Sequence, residues 1–327
     1  MVFASCYADE LEQYYRIRSV NLSNSAQAHE LCYLKRFDRF LCSHDLKKGS
    51  PIKEDLITEW LSSLKGKSSS VENEAVVIRQ FLRFLGISGV HVFIPGIPKV
   101  RDDYEPYIFS DDELDRIFSS ADNIKIQSSR TNPYTPLEFP VIIRLLFCCG
   151  LRIGETLRLK TSDVDLDKGI LHMIHTKGNK ERIVPMDRSM TDILSDYCMA
   201  MGLSLKSSGW LFPEADRDRP MSDGTVKYYF KSILSKNGIE LKNRRPHERG
   251  PCLHCLRHVF AFKSFADAQR TGKPLDDVMP YLSICLGHDS LNETQKYLKF
   301  SSEMYPAALD DFGSFIENIL PEVDYEE

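Results

Sequence analysis

Apolar residues recur at three- and four-residue intervals along most of the chain, the period of helices that bury one face. Leu31, Leu34, Phe37 and Leu41 form one stripe, and Val71, Ala75, Ile78, Leu82 and Leu85 form another. Ser23 and Asn24 can cap the first helix, and Gly86 is expected to end the second. Two further helices are expected over residues 6–17 and 53–64, the latter entered through Pro51. Residues 1–95 therefore read as a small all-helical unit. The Ile94-Pro95-Gly96-Ile97-Pro98 stretch breaks any regular pattern, so 96–107 reads as a linker.

The rest, 108–327, reads as a second, larger domain. Ser110 and Glu113 have the spacing of a capping box ahead of Leu114, Ile117 and Phe118. The polar segment 121–136 is expected to be a loop, and 139–149 is apolar nearly all round, which predicts a buried helix ended by Gly150. Residues 169–176 and 181–185 have strand character and are joined by Lys177-Gly178-Asn179-Lys180, a hairpin turn. Trp210-Leu211-Phe212-Pro213 is a short buried anchor. Helices are expected over 187–202, 222–238, 253–268, 275–285, 290–297 and 303–319. The last has Phe312, Phe315, Ile316 and Ile319 on one side and can dock on a neighbouring copy or fold back on its own domain. The fold class is mainly α with a small antiparallel β-sheet: an all-helical front domain and a mixed α+β second domain.

Composition alters this picture little. With 327 residues, 42% of them apolar and 27% charged, the chain can build two cores, and it contains no run of eighteen apolar residues. Its start lacks the basic end and long apolar stretch of a secretion signal, so a soluble cytoplasmic protein without membrane contact is expected. Nine cysteines in no regular framework read as reduced thiols. Cys252, Cys255 and His258, with His247 nearby, are the one grouping of metal donors, but their spacing is irregular for a structural zinc site, and no metal is expected. The net charge of −5 comes from the end of the chain, where residues 301–327 hold eight acidic residues and no Lys or Arg. The remainder carries a slight positive balance, so charge alone neither indicates nor excludes a nucleic-acid partner. Lys35, Arg36, Arg39, Arg79 and Arg83 in the front unit are either solvated surface or contacts to a phosphate backbone.

Chemistry concentrates after residue 150. In His254-Cys255-Leu256-Arg257-His258 a His and an Arg three apart project from one helical face and can reach the same anion. Leu286-Gly287-His288 adds another donor, and Tyr297 follows nine residues later as a candidate hydroxyl nucleophile. A guanidinium offers a planar fork suited to phosphate, and a phenol can carry a covalent intermediate, so the set fits phosphoryl transfer through a protein-linked ester. Arg152 sits between two helices beside Glu155, and Lys177 opens a hairpin tip from which it can reach a cleft.

Taken together, Gly150-Leu151-Arg152-Ile153-Gly154-Glu155, Thr176-Lys177-Gly178-Asn179-Lys180-Glu181-Arg182, His254-Cys255-Leu256-Arg257-His258 and Leu286-Gly287-His288 with Tyr297 resemble the tyrosine site-specific recombinases, the phage-integrase family, in the family's order. The resemblance covers about residues 107–300, and the front unit resembles that family's core-binding domain. It implies that Tyr297 forms a 3′-phosphotyrosine and frees a 5′-hydroxyl, that Arg152 and Arg257 clamp the scissile phosphate, and that Lys177 protonates the leaving oxygen. His254 would act as general base, His288 would donate to the phosphate, and Glu155 would prop Arg152. Lys35, Arg36, Arg39, Arg79, Arg83, Lys180 and Arg182 are the expected DNA contacts. The resemblance also implies double-stranded DNA as partner, a homo-tetramer on two DNA sites, alone or with related recombinases, no cofactor, and a role in integration, excision or transposition of a mobile element. The spacing from Arg257 to His288 is longer than in the family, with Thr271-Gly272-Lys273-Pro274 as the inserted loop. The chain begins directly with the helical unit, so no arm-binding domain is expected ahead of it. Relaxation of DNA by a type IB topoisomerase and non-cleaving DNA binding are the competing readings.

Overall fold

The computed structural model describes residues 3–44, 46–97, 106–125, 132–174, 181–241 and 250–304, excepting the side chains of 298–304. The chain divides into two compact units, Met1–Asp103 and Tyr104–Glu327.

The first unit holds four helices: α1 (Ala8–Ser19), α2 (Asn24–Cys42), α3 (Glu54–Ser63) and α4 (Ser68–Ile87). Ser23 caps α2 by accepting a hydrogen bond from the Ala26 amide. The two stripes seen in the sequence meet in a core centred on Phe37, which packs edge-on against Trp60 at 5.1 Å between ring centroids. Burying each such ring contributes about 1.5–3 kcal/mol, which is what holds a unit this small together. Gly86 does not end α4; the helix runs one residue further, and the left-handed turn falls on Gly89. The Asp38 carboxylate accepts from the amides of Ala4 and Ser5 at 2.8 and 2.9 Å and so fastens the start of the chain to α2.

The second unit begins with α5 (Asp111–Asp122), whose capping box of Ser110 and Glu113 is present as expected. Next come α6 (Thr135–Cys148) and the single turn α7 (Ile153–Thr156). A short 3₁₀ turn at Thr161–Asp163 leads into β1 (Val164–Asp165), β2 (Ile170–Met173) and β3 (Arg182–Pro185). The strands form an antiparallel sheet in the order β1-β2-β3, with Leu171 opposite both Val164 and Val184. Two residues are too few to show alternation, which is why β1 had no sequence signal. Then follow α8 (Arg188–Ala200), α9 (Asp223–Lys236), α10 (Leu253–Arg270), α11 (Leu275–Leu286) and α12 (Leu291–Met304). The fold is mostly helical with one small antiparallel sheet.

The buried helix foreseen at 139–149 starts four residues earlier, because Pro136 fits the first turn of α6, where an amide hydrogen has no partner to lose. It lies in the main core, against α5, α8 and α10. A smaller apolar cluster of Ala261, Phe262, Phe265, Leu282, Leu286 and Tyr297 joins α10, α11 and α12. Of the helix expected at 303–319, only its first two residues lie within the described chain, and they continue α12. No helix among the described residues is long and apolar enough to cross a membrane.

Candidate active site

The site is assembled where the ends of three helices meet. The last carbonyls of a helix have no partner within it. At the end of α11 three of them, in consecutive residues, are taken by three arginines. Cys285 O accepts from Arg182 Nε at 2.9 Å, Leu286 O from Arg257 Nη2 at 2.6 Å, and Gly287 O from Arg152 Nη2 at 3.1 Å. The negative end of the helix dipole thus faces three cations from separate parts of the sequence.

Arg257 is the most enclosed of the three, at 1% exposure. Its Nη1 donates to Gly150 O at 2.6 Å, so its fork joins the turn after α6 to the end of α11. Its buried Nε has no well-aligned hydrogen-bond acceptor among the described residues. Burial, then the charge of Arg152, lowers its pKa to about 10, which still leaves it cationic at neutral pH. Gly150 has φ +61°, and a Cβ there would come within 2.9 Å of Leu286 Cδ2. The residue is glycine both to turn the chain and to leave room for Phe260 of α10 and Leu286 of α11, which a Cβ would meet.

Arg152 precedes α7, and its side chain is 30% exposed. Its Nη1 donates to Glu155 Oε1 at 2.9 Å. The other oxygen of Glu155 accepts from Arg182 Nη2 at 2.8 Å, and the Glu155 side chain is 2% exposed. Glu155 is therefore paired with Arg152 and with a second arginine as well. Arg182 does not lie on an open face suited to DNA: its side chain is 6% exposed, and its head is bound to Glu155 and to Cys285 O. Strand β3 instead faces it toward the end of α11. Gly287, at φ +62°, leaves room for it, since a Cβ would come within 2.8 Å of Arg182 Nη1.

Tyr297, 6% exposed on α12, sits among aromatic neighbours. Its ring lies 6.0 Å from the His288 ring, nearly parallel, 5.4 Å from His258 and 5.9 Å from Phe262. Burial raises its phenol pKa, while the charge of Arg257 and then of Arg152 draws it back. His288 follows α11 and shares a 2.7 Å hydrogen bond between Nδ1 and Thr294 Oγ1. Burial, and then Arg257, Arg152, His254 and Arg182, depress its pKa to about 3, so it is neutral at working pH. His254 is exposed in the first turn of α10 and meets His258 edge-on at 4.6 Å between centroids.

Five expected residues, Arg152, His254, Arg257, His288 and Tyr297, thus converge on one place with Glu155. Lys177 and Lys180 lie outside the described residues. The sequence pattern gave no part in the phosphoryl-transfer set to His258, which was weighed only as a metal donor, and none to Thr294. Each carries a signal in hindsight, since His258 is one turn after His254 and Thr294 one turn before Tyr297. In the first unit Lys35, Arg39 and Arg83 are exposed, Arg36 is ion-paired with the buried Glu74, and Arg79 is half-buried. His247, considered with Cys252, Cys255 and His258 as a metal donor, also lies outside the described residues. Among those described, no group of three or more His, Cys, Asp or Glu could hold a metal ion.

The family model for the phage integrase family matches residues 108–304, which span every element of this cluster. The chain belongs to the phage integrase family. It is a tyrosine site-specific recombinase, an enzyme that breaks and rejoins DNA strands. Tyrosine recombinase XerD of Rhizobium meliloti is 29% identical over 250 residues, covering 74% of this chain and 75% of that one. A XerH site-specific recombinase, solved on a palindromic difH substrate in a post-cleavage complex, shares the fold with a TM-score of 0.64 at 18% identity. The likeness covers 88% of this chain and 79% of that one. A lambda integrase tetramer bound to a Holliday junction matches with a TM-score of 0.60 at 18% identity, over 86% and 77% of the two chains. At these identities the solved structures speak for the fold of this recombinase alone.

Proposed function

We propose that this recombinase cuts double-stranded DNA by attack of the Tyr297 oxygen on a scissile phosphate. The attack forms a 3′-phosphotyrosine and releases a 5′-hydroxyl; a 5′-hydroxyl from another strand then attacks the ester and restores a phosphodiester. The observation that carries the reading is the placement of the Tyr297 phenol in the field of both Arg257 and Arg152. A phenol with an ordinary pKa near 10 is a weak nucleophile at neutral pH, and cations around the phosphorus favour both its ionisation and the charge that builds in the transition state.

In this scheme Arg152 and Arg257 bind the non-bridging oxygens, and Arg257 also hydrogen-bonds the Tyr297 phenol. Neutral His288 donates from Nε2, and His254 accepts the tyrosine proton, with His258 packed beside both His254 and Tyr297. Lys177 gives a proton to the leaving 5′-oxygen. The bond energy stays in the phosphotyrosine and the chain supplies the cations, so the scheme uses neither metal nor nucleotide triphosphate. Lys35, Arg36, Arg39, Arg79 and Arg83 are proposed as backbone contacts of the first unit and Lys180 as one of the second, with Arg182 reassigned to support Glu155. The biological setting proposed is integration, excision or transposition of a mobile element by four copies on two DNA sites. The tetrameric neighbour on a Holliday junction lends support to that stoichiometry.

The experiment is covalent capture. The protein is incubated with a random-sequence library of duplexes nicked so that the cleaved end diffuses away, and protein-linked DNA is recovered under denaturing conditions and sequenced. Wild type should yield adducts on sequences with two inverted half-sites, linked through a peptide containing Tyr297. A folded Tyr297→Phe variant that still forms adducts would overturn the assignment of the nucleophile. Adducts without sequence preference would favour relaxation over recombination.

A further inference from the structure

Helix α10, which carries His254, Arg257 and His258, begins with two thiols that the cleavage scheme does not use. Cys252 is its N-cap residue and is half-buried; Cys255, one turn in, is 1% exposed, and the two sulfurs lie 3.6 Å apart. A disulfide needs about 2.05 Å, so closure asks for roughly 1.5 Å of combined movement from this pair. Cys255 is buried in the main core and Cys252 packs at its edge, so the movement falls mainly on Cys252.

We propose that Cys252 and Cys255 form a reversible dithiol–disulfide site whose closure displaces the first turn of α10, and with it His254, so that oxidation switches strand cleavage off. The oxidant class is a small-molecule disulfide such as oxidised glutathione. The Cys252 thiolate attacks one glutathione sulfur and expels the other as a thiolate, giving a mixed disulfide. The Cys255 thiolate then attacks the Cys252 sulfur and expels the second glutathione. The protein loses two electrons and two protons, and one glutathione disulfide becomes two glutathione thiols. Exposure of the residue-252 end of the pair gives the oxidant its entry, and the buried Cys255 resolves the mixed disulfide from within.

The effect on cleavage rests on the function proposed above, whereas formation of the bond does not. The full chain is equilibrated in glutathione buffers of graded ratio, quenched with acid, alkylated and digested with trypsin. Cleavage after Arg249 and Arg257 leaves both cysteines in one peptide. Oxidising buffers should yield that peptide unalkylated and lighter by two hydrogen atoms, and reducing buffers should yield it doubly alkylated. In parallel, adduct formation on a nicked duplex carrying the captured sequence should fall on the order of tenfold or more, since a displacement of about 1 Å at a reacting group can cost up to 10²-fold. Dithiothreitol should restore it. Cys252→Ser should form adducts at the reduced wild-type rate in every buffer. The site does not exist if the peptide stays doubly alkylated throughout, and the switch does not exist if the oxidised protein forms adducts at the reduced rate. A protein that forms no adduct in either state counts against the cleavage scheme, and the peptide masses still decide the thiol pair.

Discussion

Arg182 Nη2 lies 2.8 Å from Glu155 Oε2, and the two side chains are 6% and 2% exposed. This buried pair joins the sheet to the turn that carries Arg152. Breaking such a pair from one side leaves an uncompensated charge and costs about 3–5 kcal/mol. Arg182→Ala should lose stability on that scale in urea unfolding, and adduct formation should fall because Glu155, which supports Arg152, loses one of its two partners. Burial by itself raises the Glu155 carboxyl, yet the hydrogen bond and charge of Arg182, followed by those of Arg152, hold it below the usual carboxylate range. The unfolded chain therefore binds that proton more readily than the folded one. The stability Glu155 contributes is complete above the ordinary carboxylate pKa and is lost as pH falls through the lowered one. In Arg182→Ala that acid-side loss should shrink. An unchanged acid limb would show that the pair does not set it.

Glu138, on α6, makes the opposite prediction. It is fully buried, accepts from Asn132 Nδ2 at 2.9 Å, and its Oε1 has no partner among the described residues. Burial, with the charge of Glu214 adding to it, raises its pKa to about 8. Here the folded chain holds the proton more tightly than the unfolded one, so stability falls as pH rises from the ordinary carboxylate pKa to about 8. Glu138→Gln should flatten that decline in thermal unfolding measured across the range. An equal slope in the variant would place the proton elsewhere.

Arg257 and Arg152 should respond differently to the same conservative change. Arg257 is 1% exposed and ties two carbonyls, so lysine, with one ammonium in place of a fork, leaves at least one of them unsatisfied. Arg257→Lys should lose about 1–3 kcal/mol of stability as well as activity. Arg152, with a side chain 30% exposed, should lose mainly activity as lysine, on the order of 10²–10³ in adduct rate. Parallel unfolding and adduct assays separate the two, and equal stability losses would contradict the distinction.

His288 should be invisible in the pH profile of cleavage. Its pKa, lowered to about 3 by burial and the surrounding cations, keeps it neutral through the working range. If the Thr294 hydroxyl donates to Nδ1, the ring hydrogen is left on Nε2, where a donor to phosphate is needed. Thr294→Val should reduce the adduct rate about tenfold or more, and Thr294→Ser should retain most of it, since a positioned hydrogen-bonding group contributes about 10²–10⁴-fold to such transfers. Equal rates in the two variants would remove the hydroxyl from the mechanism. The unfolded chain binds the His288 proton more readily, so the associated stability is lost as pH falls from the ordinary histidine pKa toward about 3.

The helices were legible because each stripe had a face to bury, and the capping box of Ser110 and Glu113 fixed one boundary to the residue. The side chains proposed to react stood out by type and order. What the sequence did not show was which side chains serve the fold and which face the substrate. Arg182 reads like any surface arginine on a strand, and only the packing of β3 beside the end of α11 reveals that its head is taken. The role of Thr294 was hidden for a related reason: the hydroxyl gains meaning from a histidine in the turn before its helix. Backbone acceptors such as Gly150 O leave no trace in residue identity at all.

That last point bears on the three carbonyls at the end of α11. Because they belong to the main chain, a substitution at the half-buried Cys285 can vary the side chain while the receptors for three guanidinium groups stay in place. The alignment of the arginines is therefore buffered against drift in that stretch and vulnerable at Gly287, whose missing side chain leaves the path open. A lineage could alter much of this helix without retuning its chemistry, provided the turn that follows it keeps its shape.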